Sequence, residues 1–137
     1  MNNEVKVTRL FDLLERLQVK DPKEYNLAGK FQGAWKKYNS REYAEISHAF
    51  AYGFLEYGLK SEDKVITVMN NRPEWNFVDM GTALARMVHV PVYSTLSEDD
   101  YRYIIPHSDA KVMIIGSAIL YKHLAPVIAS LENPPAI

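Results

Sequence analysis

An α/β fold, a partial parallel sheet with flanking helices, is predicted by three observations. Residues 64–69 (KVITVM) run Val65, Ile66, Val68 and Met69 with almost no polar break, as a strand buried on both faces does. Residues 75–85 carry apolar and small side chains nearly all the way round (Trp75, Phe77, Val78, Met80, Ala83, Leu84, Ala85), which predicts a sandwiched helix. Val88, Val90 and Val92 then alternate as a second strand, and parallel neighbours require a helical crossover of this kind.

Taken from the N-terminus, residues 5–18 place Leu10, Phe11, Leu14 and Leu17 at helical spacing, with Thr8 as cap and Asp12 and Glu15 on the polar side. Those acidic residues favour docking on the chain's own core over contact with a membrane. Residues 25–28 and 34–38 read as extended stretches around a GKFQG turn, with Gly29 and Gly33 as turn glycines. They do not make a phosphate loop, because no Lys and hydroxyl pair follows at a helix start. Asn39 and Ser40 cap a helix whose Tyr43, Ile46, Phe50, Phe54 and Tyr57 recur at three and four, and Gly58 closes it. His48 on that helix has no second ligand at a useful spacing, so a structural or surface histidine is expected.

Asn70, Asn71, Arg72 and Pro73 end the first buried strand. An Asn ahead of a Pro at the first helical position is a start signal, and Trp75 opens the helix. Past the second strand, Ser97 and Asp100 form a capping box with Asp in place of Glu. Glu98, Asp99 and Asp100 complement the helix dipole; three successive helical residues point in different directions and do not converge on a metal or a proton. Tyr101, Ile104 and Ile105 face the core, and residues 106–109, His107 among them, connect to a third buried strand at 111–115. Gly116 and Ser117 start a last helix with Leu120, Leu124, Ile128 and Leu131, which Pro126 should kink or restart, and the tail ENPPAI is extended. The parallel strands expected are thus 64–69, 87–92 and 111–115.

The 137 residues suffice for one compact domain. Sixteen basic and seventeen acidic residues leave a formal charge of −1, which gives no reason to expect a nucleic-acid partner. Cysteine is absent, so disulfides, thiolate zinc sites and cysteine nucleophiles are excluded. No run approaches the roughly 20 apolar residues of a membrane span, and MNNEVKVTRLF lacks the apolar core of a secretion signal, so a cytoplasmic location is expected.

NNRPEW after a buried strand, followed by HVPVYSTLSEDDYRYIIPHSDAKVMII, resembles the N-terminal region of AMP-forming acyl-CoA synthetases, most closely the long-chain fatty acid:CoA ligases of the adenylate-forming superfamily. The similarity runs from FDLLERL onward, and the ordered stretch over residues 70–115 makes it specific. Two positions depart from the family pattern. Where a Gly usually ends the central helix this chain has Arg86, and the Pro of the family's YPT turn is Ser94. A Gly takes positive φ without steric cost, so either this helix ends differently or Arg86 bears strain.

The resemblance implies a full-length enzyme that activates a fatty acid with ATP and Mg2+ to an acyl-adenylate and then lets coenzyme A displace AMP, working peripheral to a membrane. The family's Gly/Ser/Thr-rich loop, its aromatic-Gly-x-Thr-Glu segment, its ribose-binding Asp and the Lys of its C-terminal domain all lie beyond the matched region. Residues 1–137 are accordingly expected to be the N-terminal part of an AMP-binding domain, a fragment that carries scaffold, supplies no catalytic, cofactor-binding or metal residue, and is inactive alone.

The residues by themselves leave two other readings open. No GxSxG, GxGxxG or GxxxxGK[ST] occurs, and His48, His89, His107 and His123 have no triad or zinc spacing. A non-enzymatic small-molecule-binding module would use the crevice at the carboxyl ends of the strands, with Asn70, Asn71, Arg72 and the Tyr93, Ser94, Thr95 loop as polar groups and Arg72 as the best anion contact. A self-association module would use the edges of a partial sheet.

Overall fold

The computed structural model describes residues 6–137, so the expected helical start at Val5 lies outside the described residues. Among the described residues ten elements follow one another: α1 (Asp12–Val19), β1 (Leu27–Phe31), β2 (Ala34–Tyr38), α2 (Ser40–Glu56), β3 (Lys64–Val68), α3 (Pro73–Leu84), β4 (Val88–Val92), α4 (Glu98–Ser108), β5 (Val112–Ile115) and α5 (Ala118–Ala129). Their contacts divide into two compact units. One holds the chain up to Gly58 together with residues 72–85, and the other holds residues 59–71 and 86–137.

In the first unit, the hairpin β1–β2 turns on Gln32 and Gly33, both at positive φ (48° and 85°), as a two-residue primed turn demands. The expected turn is therefore too long, because β1 runs on through Gly29 to Phe31. Gly29 is a packing glycine: a Cβ there would stand 2.8 Å from Pro73 Cδ and 2.9 Å from Phe31 Cε2. The hairpin's inner face lays Tyr38 edge-on against Phe77 of α3 at 5.1 Å, with Leu14, Tyr43 and Ala44 completing the core.

Helix α2 begins with the expected cap, here a full box: Asn39 Oδ1 accepts from Glu42 N–H and the Glu42 carboxylate accepts from Asn39 N–H, each at 2.8 Å. Gly58 follows its end at φ 98°. Where α2 crosses α3, Gly81 is the contact: a Cβ on it would lie 2.6 Å from Phe50 Cβ and 3.1 Å from the Ser47 carbonyl oxygen.

Helix α1 differs from the expectation. It starts four residues after Thr8, and Leu10 lies outside it and is 52 % exposed. Asp12 is buried instead of facing solvent, because the turn ahead of the helix surrounds its carboxylate with donors: Thr8 N–H, Thr8 Oγ1–H and Arg9 N–H donate to its Oδ2, and the Arg9 guanidinium donates to Oδ1 at 2.7 and 3.0 Å. Thr8 is thus a donor to Asp12 and not the cap; Phe11 holds the N-cap position, with no side-chain cap bond.

The second unit is a parallel sheet in the order β4-β3-β5, with Ile66 opposite Val90 on one side and Met113 on the other. Strand alternation sends Ile66, Val68, Val90, Val92, Met113 and Ile115 to one face, where Tyr101 and Ile105 of α4 and Leu124 and Val127 of α5 bury against them. Residues 106–109 are helical up to Ser108, so Pro106 and His107 end α4 and do not form a connection; His107 stacks on Tyr103 at 5.2 Å. Helix α5 likewise runs through Pro126 without restarting. The amides that these prolines lack would have bonded the carbonyls of Arg102 and Lys122, both exposed residues, whose oxygens water can satisfy. Beyond α5, Ala136 pairs in parallel with Val112: Met113 N–H donates to Ala136 O at 2.7 Å and Ala136 N–H to Lys111 O at 3.0 Å.

Candidate functional site

Loops that follow the carboxyl ends of parallel strands are where an α/β sheet presents polar groups to a ligand. In the sheet unit these loops begin at Met69, Tyr93 and Gly116. Ser94 Oγ donates to Asn70 Oδ1 at 2.7 Å and so joins the loop after β4 to the loop after β3. Tyr101, fully buried in α4, donates its hydroxyl proton to the Tyr93 carbonyl at 2.7 Å and fixes the start of the same loop. Gly116 donates N–H to Val68 O at 2.9 Å, and its α-carbon lies so close to Met69 that a Cβ would collide with the Met69 side chain. The three loops are therefore tied together by short, specific contacts.

Hydroxyls at the next two helix starts are likewise engaged. Ser97 Oγ accepts from Asp100 N–H at 3.2 Å and donates to the Asp100 carboxylate at 2.6 Å, and Ser97 N–H donates to that carboxylate too, which lowers the Asp100 pKa. Ser117 Oγ accepts from Leu120 N–H. Glu98 and Asp99, in the first turn of α4 as expected, both bond Arg102 at 2.9 Å, ion pairs that the sequence reading had not drawn.

Arg72 belongs to the first unit. It stands at the N-cap of α3 in extended conformation (φ −159°, ψ 155°) with Pro73 next, and neither Asn70 nor Asn71 caps this helix. The guanidinium grips Glu74 through Nε and Nη2 at 2.8 and 2.9 Å, an arrangement that lowers the Glu74 pKa and raises that of Arg72. The positive charge expected to meet an anion is thus matched by a carboxylate two residues on. Sequence reading passed over Glu74; a Glu in the first turn behind an extended Arg was the available signal.

Other titratable groups serve the fold. His89 Nε2 and Thr67 Oγ1 share a hydrogen bond at 2.8 Å across β4 and β3, and the exposed His48 lies over Tyr52. Among the described residues no group of three or more His, Cys, Asp or Glu is placed to hold a metal ion, and no buried polar side-chain atom lacks a partner. No helix among them is long and apolar enough to cross a membrane. At the strand ends Ser94 and Asn70 are turned onto each other.

The sequence model of the AMP-binding enzyme family matches residues 15–136. The chain belongs to the AMP-binding enzyme family. Long-chain members are among its relatives: it is 29 % identical over 119 residues to the rat long-chain-fatty-acid–CoA ligase ACSBG1, and 30 % identical over 81 residues to the long-chain-fatty-acid–CoA ligase FadD15 of Mycobacterium bovis. These alignments take in 80 % and 59 % of this chain but only 16 % and 14 % of the two ligases.

Solved structures of the family share the fold. The N-terminal domain of FACL13 from Mycobacterium tuberculosis superposes with TM-score 0.73 at 20 % identity, over 94 % of this chain and 31 % of that one. A Mycobacterium tuberculosis fatty acyl CoA synthetase does so with TM-score 0.75 at 20 % identity, over 93 % and 24 %. Membership of the AMP-binding enzymes and the N-terminal-domain architecture agree with what residues 70–115 imply. Arg86 resolves the question posed by its position: the helix ends where the family's Gly would stand, and Arg86 takes φ 58°.

Proposed function

We propose that this chain is the N-terminal scaffold region of a long-chain fatty acid:CoA ligase, which uses ATP and Mg2+ to make an acyl-adenylate and passes the acyl group to coenzyme A. The reading rests on one observation above all, the alignment over 119 residues with long-chain-fatty-acid–CoA ligases. The pairings of Ser94 with Asn70, Arg72 with Glu74 and Ser97 with Asp100 support a scaffolding role. No step of the reaction is assigned to residues of this chain. The longer protein is proposed to act in the cytoplasm, peripheral to a membrane that holds its fatty acid.

The test is ATP:pyrophosphate exchange with a long-chain fatty acid. The 137-residue chain alone should give no exchange, and the protein continued by its own reading frame past Ile137 should give it. Exchange by the chain alone overturns the scaffold reading, and failure of the continued protein overturns the ligase reading. Exposed sheet edges are the proposed route to self-association of the isolated chain. On one of them Pro91 of β4 supplies no amide donor, which limits pairing there. Sedimentation equilibrium across concentration decides this, and a monomer at every concentration refutes it.

A further inference from the structure

The hairpin β1–β2 has two unlike faces. Its register pairs Ala28 with Lys37 and Lys30 with Trp35, and pairs Leu27 with Tyr38, Gly29 with Lys36 and Phe31 with Ala34. Residues opposite one another in an antiparallel pair share a face. From the set containing Tyr38, Tyr38 and Leu27 pack into the first unit's core. The other set, Ala28, Lys30, Trp35 and Lys37, is exposed at every position.

Trp35 on that face is 65 % exposed, and just before the strand Tyr25 is 56 % exposed with Lys37 Nζ 3.8 Å from its ring centroid. The face thus presents a solvent-facing indole beside Lys30 and Lys37 on one side of a two-stranded ribbon. Residues 25–38 contain Lys30, Lys36 and Lys37 and no acidic residue, whereas the whole chain carries a formal charge of −1. The positive charge is therefore local to the hairpin, with Glu24 as its acidic neighbour in the chain.

We propose that this outer hairpin face is a docking surface for an anionic lipid bilayer, with Trp35 inserted at the headgroup level and Lys30 and Lys37 against the lipid phosphates and carboxylates. Amphipathic aromatic rings settle at the membrane interface, and lysines beside them are drawn to the negative surface potential. Three lysines are too few to track a nucleic-acid backbone, and an indole standing proud of a narrow ribbon suits a deformable apolar boundary. The proposal deepens the membrane-peripheral part of the function above. It needs neither ATP nor catalysis, so it and the ligase reading fail in different assays.

Vesicle binding by the 137-residue chain tests it, with phosphatidylcholine vesicles containing 30 % phosphatidylserine against phosphatidylcholine alone. The chain should bind the anionic vesicles, and high salt should weaken the binding. Lys30→Glu with Lys37→Glu should lower partitioning by more than about 20-fold, on the basis of roughly fivefold for each lysine lost. Trp35→Ala should lower it by about tenfold. Lys60→Glu, an exposed charge change outside the hairpin, should have little effect. In a Trp75→Phe background Trp35 is the sole tryptophan, and brominated lipid should quench it. Thermal melts confirm that each variant is folded. Absence of binding to anionic vesicles, equal binding to neutral ones, insensitivity to the Trp35 and lysine changes, or binding to a single-stranded oligonucleotide in place of vesicles each overturns the proposal.

Discussion

Arg86→Gly should stabilise the chain. Arg86 occupies the left-handed region at φ 58°, its side chain is exposed, and its carbonyl accepts from Glu62 N–H at 2.8 Å and Ser61 Oγ–H at 3.3 Å. A left-handed L-residue costs about 1–2 kcal/mol, which Gly does not incur. Gly gives back roughly 0.4–1 kcal/mol through the greater freedom of the unfolded chain, so the net gain is about 0.5–1 kcal/mol. With about 2.1 cal/mol/K of unfolding entropy per residue over 137 residues, that gain raises Tm by about 2–4 °C. Differential scanning calorimetry reads the shift. Arg86→Ala is the control, since it removes the same exposed side chain but keeps the Cβ and should leave Tm within about 1–2 °C. A Tm for Arg86→Gly at or below wild type, or an equal rise for Arg86→Ala, would refute the attribution to backbone conformation.

Two helix glycines should respond in opposite directions. Gly81→Ala forces a methyl against Phe50 Cβ and the Ser47 carbonyl and should cost about 1–2 kcal/mol net of the helix-propensity gain, whereas Gly53→Ala meets nothing within 4 Å and should gain about 0.5–1 kcal/mol; urea midpoints separate them. Tyr43 has its pKa pushed up to about 12, first by burial and then by the Asp79 charge. Its protonated form is favoured in the fold, so stability is intact below the unfolded value near 10 and falls as pH rises from there toward 12. Tyr43→Phe should flatten that alkaline loss in pH-dependent melts. Asp12 is held well below the usual carboxylate range by the Arg9 guanidinium and by the Thr8 and Arg9 amides. Its contribution is complete above the unfolded pKa near 4 and is lost as pH falls beneath it, and Asp12→Asn should blunt that acid loss in thermal melts between pH 5 and pH 2.

The parts legible in the sequence are those in which local chemistry and global packing agree. Asn39 with Glu42 and Ser97 with Asp100 are capping boxes whose partners lie three residues apart, and the run over residues 64–69 can hardly be other than a buried strand. Gly29 misled because a packing glycine and a turn glycine look the same in a sequence; only the later arrival of Pro73 beside it tells them apart. Asp12 misled because an acid on a helix is read as solvent-facing until the turn ahead of it supplies donors. Pro106 and Pro126 were read as breaks, yet each leaves only one carbonyl to water. At the strand ends the polar residues were found, but their pairings were not, since Ser94 and Asn70 are 24 positions apart and nothing local announces their bond.

The single bridge at Ala136 makes two kinds of opening separately visible in time. Met113 amide hydrogen is shielded by an oxygen that arrives from beyond α5, while Gly116 amide hydrogen is shielded from within the sheet by Val68. Solvent deuterium therefore reaches Met113 when residues around Ala136 lift away, and reaches Gly116 only when β3 and β5 part. The ratio of these exchange rates measures how far the edge of the sheet breathes independently of its centre.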